Sequence, residues 1–225
     1  MANNNDFGDS NLSKVLNYVH WFFITNIYFF LCNILFIICA YTVEIKFGNI
    51  LVFLIALIPT GPSITAVCSS MGKIVREKYL DTTRDFFKAY KDNFFSSMKL
   101  WILFLLTTFI LLLDIKLCFI NKSFLFLLIP TVIILFLLVL IFSYAFPLLS
   151  RFSMKTIDII KLSVYLALKN PLISLINITV LIVSTLLFFE GRGIIGLFLG
   201  SLASYAIIFN MRRIFDYVEK KFVSP

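Results

Sequence analysis

The chain has 225 residues, of which 60% are hydrophobic and only 14% are charged, with a formal net charge of +8 and a mean hydropathy of +0.98. This composition is far more apolar than that of a soluble domain of the same length, so it excludes a water-soluble globular protein. The basic residues flank apolar segments and no nucleic-acid-binding module is visible, so we expect no nucleic-acid partner.

Six apolar segments predict an all-α, polytopic bundle of six transmembrane helices. Five of them reach the roughly 17 to 25 residues that a helix needs to cross about 30 Å of hydrocarbon. The third reaches this length only if it starts near Phe94, with the Lys99 ammonium extended toward the headgroups and Asp114 at the opposite interface. We expect one membrane domain over residues 1–225, with spans at about 21–43, 47–71, 94–114, 123–150, 170–189 and 193–211.

The second span is interrupted by two prolines and a glycine. Each proline removes a backbone donor, and the freed carbonyls need partners because lipid offers none. One interpretation is a broken helix whose polar groups line a solute or ion site. The other, which we favour, is a packed kink, since proline and glycine are ordinary in membrane helices. The candidate site residues are Pro59, Thr60, Gly61, Pro62, Ser63 and Thr65.

The segment between spans two and three predicts an amphipathic helix over about residues 82–93, with Thr82 as its N-cap. Aromatic residues recur at helical spacing on one side of it, and lysines lie on the other. This pattern is typical of a helix that lies in the membrane interface and runs into the next span. It gives a candidate partner face of Phe86, Phe87, Lys88, Tyr90 and Lys91.

The segment between spans four and five repeats the pattern over about residues 154–168, with Ile157, Ile160, Val164 and Leu168 on one face. The two segments also match at one constant offset, which would pair Ser96 with Ser174. Spans two and three would then correspond to spans four and five as a parallel repeat. The alternative is convergence of two unrelated segments on an amphipathic approach to a span.

The distribution of charge predicts the orientation. If the N-terminus is cytoplasmic, 16 of the 20 Lys and Arg residues fall on the cytoplasmic side, which satisfies the positive-inside rule and places both termini there. The inner residues are Lys14, Lys73, Arg76, Lys78, Arg84, Lys88, Lys91, Lys99, Arg151, Lys155, Lys161, Lys169, Arg212, Arg213, Lys220 and Lys221, and the outer ones are Lys46, Lys116, Lys122 and Arg192.

The sixth span carries a small-residue series of Gly196, Gly200 and Ser204. Such residues allow another helix to approach closely, and we expect packing within the bundle rather than homodimerisation. Asn26 and Asn33, seven residues apart in the first span, share one face and predict hydrogen bonds between helices.

Signatures of catalysis and metal binding are absent from the sequence. It contains no G-x-S-x-G, H-E-x-x-H or Walker motif and no paired carboxylates within a span, and its four cysteines have no C-x-x-C spacing. We therefore expect no enzymatic activity, no metal and no cofactor.

Several segments together resemble the YesL family of bacterial membrane proteins, whose molecular function is unestablished. The matching stretches are Ile58-Pro59-Thr60-Gly61-Pro62, Thr65-Ala66, residues 85–94, residues 146–152, residues 168–171, Tyr205, Arg213 and Phe215. The resemblance runs from about Trp21 to Phe215. It implies an association with ATP-driven uptake and breakdown of saccharides in Gram-positive bacteria, and it supplies no catalytic residues.

These observations predict a non-enzymatic, multi-pass protein of the plasma membrane. The leading hypothesis is an accessory or scaffold component of carbohydrate uptake, which contacts anionic headgroups and transporter subunits on its cytoplasmic side. The alternative is a small permease or channel with a solute site at the broken second span.

Overall fold

A computed structural model describes residues 11–44, 46–120, 122–190 and 196–223, which are almost entirely helical and contain no strand. The all-α prediction is confirmed. The helices in these ranges are α1 (Asn11–Cys32), α2 (Ile34–Thr42), α3 (Ile50–Ala56), α4 (Thr60–Glu77), α5 (Thr82–Asp92), α6 (Phe94–Ile120), α7 (Leu128–Arg151), α8 (Thr156–Lys169), α9 (Pro171–Glu190) and α10 (Gly196–Val218), and short 3-10 turns precede α3 and α7.

Five helical segments within the described residues are long and apolar enough to cross a membrane: Leu12–Cys32, Ile50–Glu77, Phe94–Ile120, Phe124–Arg151 and Pro171–Phe188. They overlap the first five predicted spans, so the chain has the helices of a multi-pass membrane protein. Residue 193, where the sixth span was predicted to start, lies outside the described residues. Helix α10 covers the rest of that segment, and the count of six and the orientation stay predictions.

The first predicted span is not one continuous helix. Instead, α1 begins ten or so residues before the predicted start at 21 and gives way to α2 at Asn33. At this junction the Asn33 amide Nδ2 donates to the Phe29 carbonyl over 2.7 Å, beside the bond that the Asn33 N–H makes to the same carbonyl. Asparagine side chains compete in this way with regular helical hydrogen bonding.

The same hydrogen bond, from an asparagine side chain to the carbonyl four residues earlier, occurs at two further helix junctions. Asn93, between α5 and α6, donates from Nδ2 to the Ala89 carbonyl over 3.2 Å. Asn170, between α8 and α9, donates to the Leu166 carbonyl over 3.0 Å. Each side chain reaches back four residues, as Asn33 does, so we call the three junctions the asparagine elbows.

The two later elbows also share a serine four residues further on. Ser97 Oγ donates to the Asn93 carbonyl, and Ser174 Oγ donates to the Asn170 carbonyl over 3.1 Å. This equivalence corrects the predicted repeat by one residue, because the structure makes Ser97, not Ser96, the counterpart of Ser174. The matched Asn-x-x-x-Ser elbows support the correspondence of α5 and α6 with α8 and α9.

Helix α5 packs along α4 and runs antiparallel to it, and its predicted place in the membrane interface stays a prediction. Lys73 of α4 pairs with Asp85 of α5 at 2.7 Å, and Gly61 near the start of α4 lies against Ser97 and Trp101 of α6. Part of the predicted aromatic stripe is therefore an internal packing face, since Phe86 is buried whereas Phe87 is exposed. Helix α4 contacts α6 as well as α5. The three helices therefore form one hairpin, with a bend between α5 and α6.

The start of α5 also differs from the prediction by one residue. Its N-cap is Asp81, not Thr82, because the Asp81 carboxylate accepts a hydrogen bond from the backbone N–H of Arg84. The Asp81 N–H in turn donates to the Asp85 carboxylate over 3.0 Å. This reciprocal pair satisfies two backbone donors at the start of the helix, as in a capping box.

Helix α8 packs against α7, α9 and α6 through a different face from the one predicted. The expected apolar stripe includes Ile157 and Leu168, which are exposed, whereas Ile159, Leu162 and Leu166 are buried. Apolar residues occur on both sides of this helix, so periodicity alone could not identify the side that faces the bundle.

The buried core lies at one end of the bundle. We call this the basic end, where the loop at 78–81, the loop at 152–155 and the last turns of α10 meet. Phe152 contacts Phe215 there with ring centroids 6.2 Å apart, and Arg151 pairs with Glu219 at 2.7 Å. Most exposed large apolar residues occur elsewhere, on α2, α3, α6, α9, the first half of α7 and the 3-10 turn before it. An apolar exterior of this kind suits contact with lipid.

Candidate functional site

The broken second span was the first candidate site. Helix α3 ends at Ala56 and α4 begins at Thr60, so the chain is interrupted at the predicted segment. Short-range bonds carry the backbone through the turn: the Ile58 N–H donates to the Ile55 carbonyl and the Thr60 N–H donates to the Leu57 carbonyl. The interruption is a compact kink rather than an open gap.

The first asparagine elbow faces this kink. Asn33 Nδ2 donates to Ser63 Oγ over 2.8 Å, and Thr60 Oγ1 donates to Asn33 Oδ1 over 2.6 Å. Ser63 Oγ donates in turn to the Thr60 carbonyl over 2.9 Å. Two helix interruptions that are distant in sequence therefore satisfy each other's polar groups inside the protein, as buried polar groups require.

Helix α6 closes the kink from the other side. The indole N–H of Trp101 donates to the Leu57 carbonyl over 2.7 Å. Its close approach depends on Gly61, because a Cβ there would lie 2.4 Å from Trp101 Cβ and 2.9 Å from the Ser97 carbonyl oxygen. Thr65 Oγ1 donates to the Gly61 carbonyl within the same helix.

The predicted site residues are thus brought together, but they are turned inward. Gly61, Pro62, Ser63 and Thr65 are buried, and Pro59 and Thr60 are half-buried. Every side-chain hydroxyl of the set has a hydrogen-bond partner in the protein. The arrangement has the contacts of the packed kink that we favoured, and the three side-chain hydroxyls there are directed at protein acceptors.

A cavity of about 180 Å³ lies just beyond the kink. Its walls come from α1, α4, α7, α9 and α10, and they are almost entirely apolar. Among the lining residues are Phe29, Ile64, Phe146 and Leu181, with Cys68 and Ser204 as two of the few polar side chains. A cavity of this size and lining suits apolar matter, such as part of an acyl chain, better than a hydrated solute.

The small-residue series in α10 packs inside the bundle. A Cβ at Gly200 would lie 2.6 Å from Asn26 Oδ1 of α1. Asn26 Nδ2 also donates to Ser201 Oγ over 2.9 Å, which fixes α1 against α10. Gly196 lies beside Phe188 of α9, and Ser204 lines the apolar cavity.

The predicted partner face on α5 is divided by the structure. Phe86 is fully buried against Tyr28 of α1, with ring centroids 5.6 Å apart, and Tyr90 is half-buried. Phe87 is 44% exposed, and Lys88 and Lys91 are exposed. Phe86 is therefore part of the core and is not available to a partner. We call Phe87, Lys88 and Lys91 the α5 outer face.

A cluster of lysines and tyrosines connects α8 to α10. The Lys169 ammonium lies 4.0 Å from the centroid of the Tyr217 ring, and Lys221 Nζ donates to Tyr217 Oη over 3.1 Å. The Lys169 and Lys221 ammonium groups lower the pKa of Tyr217 to about 8, with Lys169 the larger cause. The same contact with Tyr217 raises the pKa of Lys169.

Tyr217 should therefore ionise about two pH units earlier in the folded protein than in the unfolded chain, where tyrosine has a pKa of about 10. Because the folded pKa is the lower one, the stabilising contribution is complete above about pH 10 and is lost as the pH falls through about 8. Tyrosinate absorbance should show this early transition in the wild type and lose it in Tyr217→Phe. Lys169→Met should raise the midpoint, whereas Lys161→Met should leave it unchanged.

The sequence did not identify the partners in two contacts that organise these regions. Trp101 looked like an ordinary span residue, and nothing marked it as the cap of Leu57. The predicted hydrogen bonds between helices at Asn26 and Asn33 are confirmed, and the structure identifies their partners as Ser201 and Ser63. Within the described ranges, no three His, Cys, Asp or Glu side chains come together to hold a metal ion.

Residues 22–115 match the family model described as "Protein of unknown function, DUF624". The match covers less than half of the chain. It extends from α1 almost to the end of α6, so it contains the Asn33 elbow, the kink and α5. No curated protein and no solved structure matches the chain.

Proposed function

We propose that this chain is a non-enzymatic, multi-pass protein of the plasma membrane, of the YesL type, and an accessory or scaffold component associated with carbohydrate uptake. Both termini are cytoplasmic in this proposal, so the basic end faces the cytoplasm. The resemblance to YesL proteins and the match of residues 22–115 to DUF624 support the family assignment.

The observation that carries the accessory role is the closed state of the broken span. A permease or channel needs polar groups that exchange partners with a solute. Here the Asn33, Thr60 and Ser63 side chains are bonded to one another, and Trp101 caps the Leu57 carbonyl. These hydrogen bonds within the protein favour an accessory role over transport at the kink.

The α5 outer face is the best candidate surface for a partner. It combines one exposed aromatic side chain, Phe87, with the exposed ammonium groups of Lys88 and Lys91. Its inner side is fixed by Phe86 in the core and by the Lys73–Asp85 pair. A rigid helix that presents an aromatic residue beside cations suits an acidic, partly apolar protein surface, and it also suits anionic headgroups.

Purification in mild detergent tests the accessory role. Transporter subunits should copurify in stoichiometric amount with the wild type and should be lost from Lys88→Glu/Lys91→Glu. A matched control, Lys155→Glu/Lys161→Glu, changes the net charge equally on α8 and should retain them. Equal loss from both variants, or the absence of any stoichiometric partner from the wild type, would contradict the proposal.

Reconstitution in liposomes tests the permease alternative directly. Wild-type protein should not accelerate the entry of labelled mono- or disaccharides beyond empty liposomes. Entry that depends on the protein and disappears in Pro59→Ala/Pro62→Ala would replace the accessory role with transport at the kink.

A further inference from the structure

The basic end contains a second cavity, of about 210 Å³, which the proposed function does not use. Arginines from three different helices line it: Arg76 from α4, Arg151 from α7 and Arg212 from α10. Lys78 joins them from the loop that follows α4. Residues more than 130 positions apart in the chain thus direct like charges into one small space.

The carboxylates nearby do not balance this charge. Asp216 lines the cavity, and Glu219 pairs with Arg151 at 2.7 Å. Glu77 is also close enough to interact with Arg76, but it pairs with Lys73 at 3.8 Å, so the lining of the cavity keeps a net positive charge. Among the described residues, no carboxylate lies within 4.0 Å of the Arg76 guanidinium.

The surrounding residues hold two of the guanidinium groups in place. Arg151 lies 5.1 Å from the centroid of the Phe215 ring, and Arg212 lies 4.5 Å from that of Phe209. Gly72 lies beneath the third, since a Cβ at this position would be 3.3 Å from Arg76 Nη1. The cationic lining is therefore largely formed before any ligand binds, which reduces the entropy lost on binding.

Helix dipoles explain only part of this arrangement. A cation in the last turn stabilises the negative end of a helix, and Arg76 and Arg151 occupy such turns in α4 and α7. Arg212, however, lies more than a turn before the end of α10. The dipole effect also gives no reason for cations from three helices to line one cavity at the cost of mutual repulsion.

We propose that this cavity binds a phosphate group with two negative charges, as found in a phosphomonoester. The guanidinium fork matches phosphate oxygens in a bidentate manner, and the negative charge of the group would offset the net positive charge of the lining. The volume is below the roughly 300 to 1,000 Å³ of pockets that enclose drug-sized ligands, so the site takes the phosphate group rather than a whole large molecule. The phosphate belongs either to a lipid headgroup at the membrane surface or to a soluble ester.

Titration of the full chain in phosphatidylcholine nanodiscs tests the site, with glycerol 3-phosphate as the soluble probe. A second set of nanodiscs containing phosphatidic acid supplies the same group on a lipid, and retention of that lipid is followed by native mass spectrometry. Binding of at least one of the two probes should be saturable. Arg76→Gln should weaken it about tenfold or more, the expected effect of losing a charge-assisted pair.

The matched control is Arg213→Gln, which removes the same charge from an exposed neighbour of Arg212 that does not line the cavity. It should change the affinity less than about twofold, as expected for a screened surface charge. Lys78→Gln provides a second lining variant if Arg76→Gln does not fold. Saturation by glycerol 3-phosphate identifies a soluble source, and retention of phosphatidic acid alone identifies a lipid source.

Two results would overturn the proposal. One is the absence of saturable binding of either probe to folded wild-type protein. The other is equal weakening by the lining variant and by Arg213→Gln, which would show only general attraction to a basic surface. Neither result depends on whether a protein partner binds the α5 outer face, because that face is on another helix.

Discussion

Replacing Gly61 by alanine should destabilise the protein by about 1–3 kcal/mol, the usual range for an overpacked core. The added Cβ would lie 2.4 Å from Trp101 Cβ and 2.9 Å from the Ser97 carbonyl oxygen. Neither atom is the flexible end of a side chain, so α4 and α6 would have to separate. Separation would also lengthen the bond from the Trp101 indole to the Leu57 carbonyl.

Reversible unfolding in mixed micelles measures this effect, and Gly48→Ala is the control. A Cβ at Gly48 meets no atom within 4 Å, so this variant should be as stable as the wild type. Trp101→Ala should not rescue Gly61→Ala, because alanine keeps the Cβ atom that clashes. Equal stability of the two glycine variants would contradict the close packing of α4 on α6.

Replacing Asn33 by alanine should cost about 1–3 kcal/mol, because it removes bonds to two buried or half-buried hydroxyl groups at once. Ser63 Oγ would lose its donor and Thr60 Oγ1 would lose its acceptor. The Phe29 carbonyl would also lose the side-chain bond at the elbow. Helices α1 and α2 should then merge into a more regular helix.

A double-mutant cycle separates the interhelical bond from the elbow. If Asn33 and Ser63 act together, Asn33→Ala/Ser63→Ala should cost less than the sum of the single variants. Asn49→Ala is the control, since Asn49 bonds the Glu44 carbonyl at an exposed turn and should change stability by less than about 0.5 kcal/mol. Strict additivity of the two single variants would show that the bond contributes nothing.

The helical class and most helix positions could be predicted from the sequence because they depend on local properties. Apolar length marked five spans, and proline and glycine marked the kink at Pro59. The two short helices were also visible, since α5 and α8 begin and end within about two residues of the predicted bounds. These features depend on the apolar length of a segment and on its proline and glycine residues. Both can be read from the segment itself, without knowledge of its neighbours.

The orientation of those short helices could not be predicted in the same way. Phe86 was assigned to an outer face together with Phe87, yet one ring is buried and the other is 44% exposed. Adjacent residues differ by about 100° around a helix. A small error in the assumed rotation of the helix about its axis therefore moves one ring from the exposed side to the core. The elbow at Asn33 was missed for another reason: its effect depends on side-chain bonds that compete with the helix.

The least predictable feature was which helices contact each other across the bundle. The small-residue series suggested only that some helix approaches α10, and the structure identifies Asn26 of α1 beside Gly200. The cationic cavity joins Arg76, Arg151 and Arg212, which the charge map had sorted correctly to one side but had no means of bringing together. Such contacts depend on the order of helices around the axis, which local sequence does not specify.

The central place of α4 has a consequence for biosynthesis. This helix contacts α1, α5, α6, α7 and α10, and side chains such as Met71 and Ile74 are fully buried among them. When the ribosome has completed α6, two of those neighbours have not been made, so the inner face of α4 is still uncovered. The DUF624 match ends at this point, at residue 115. The matched segment therefore lacks α7 and α10, two of the helices that cover α4 in this structure.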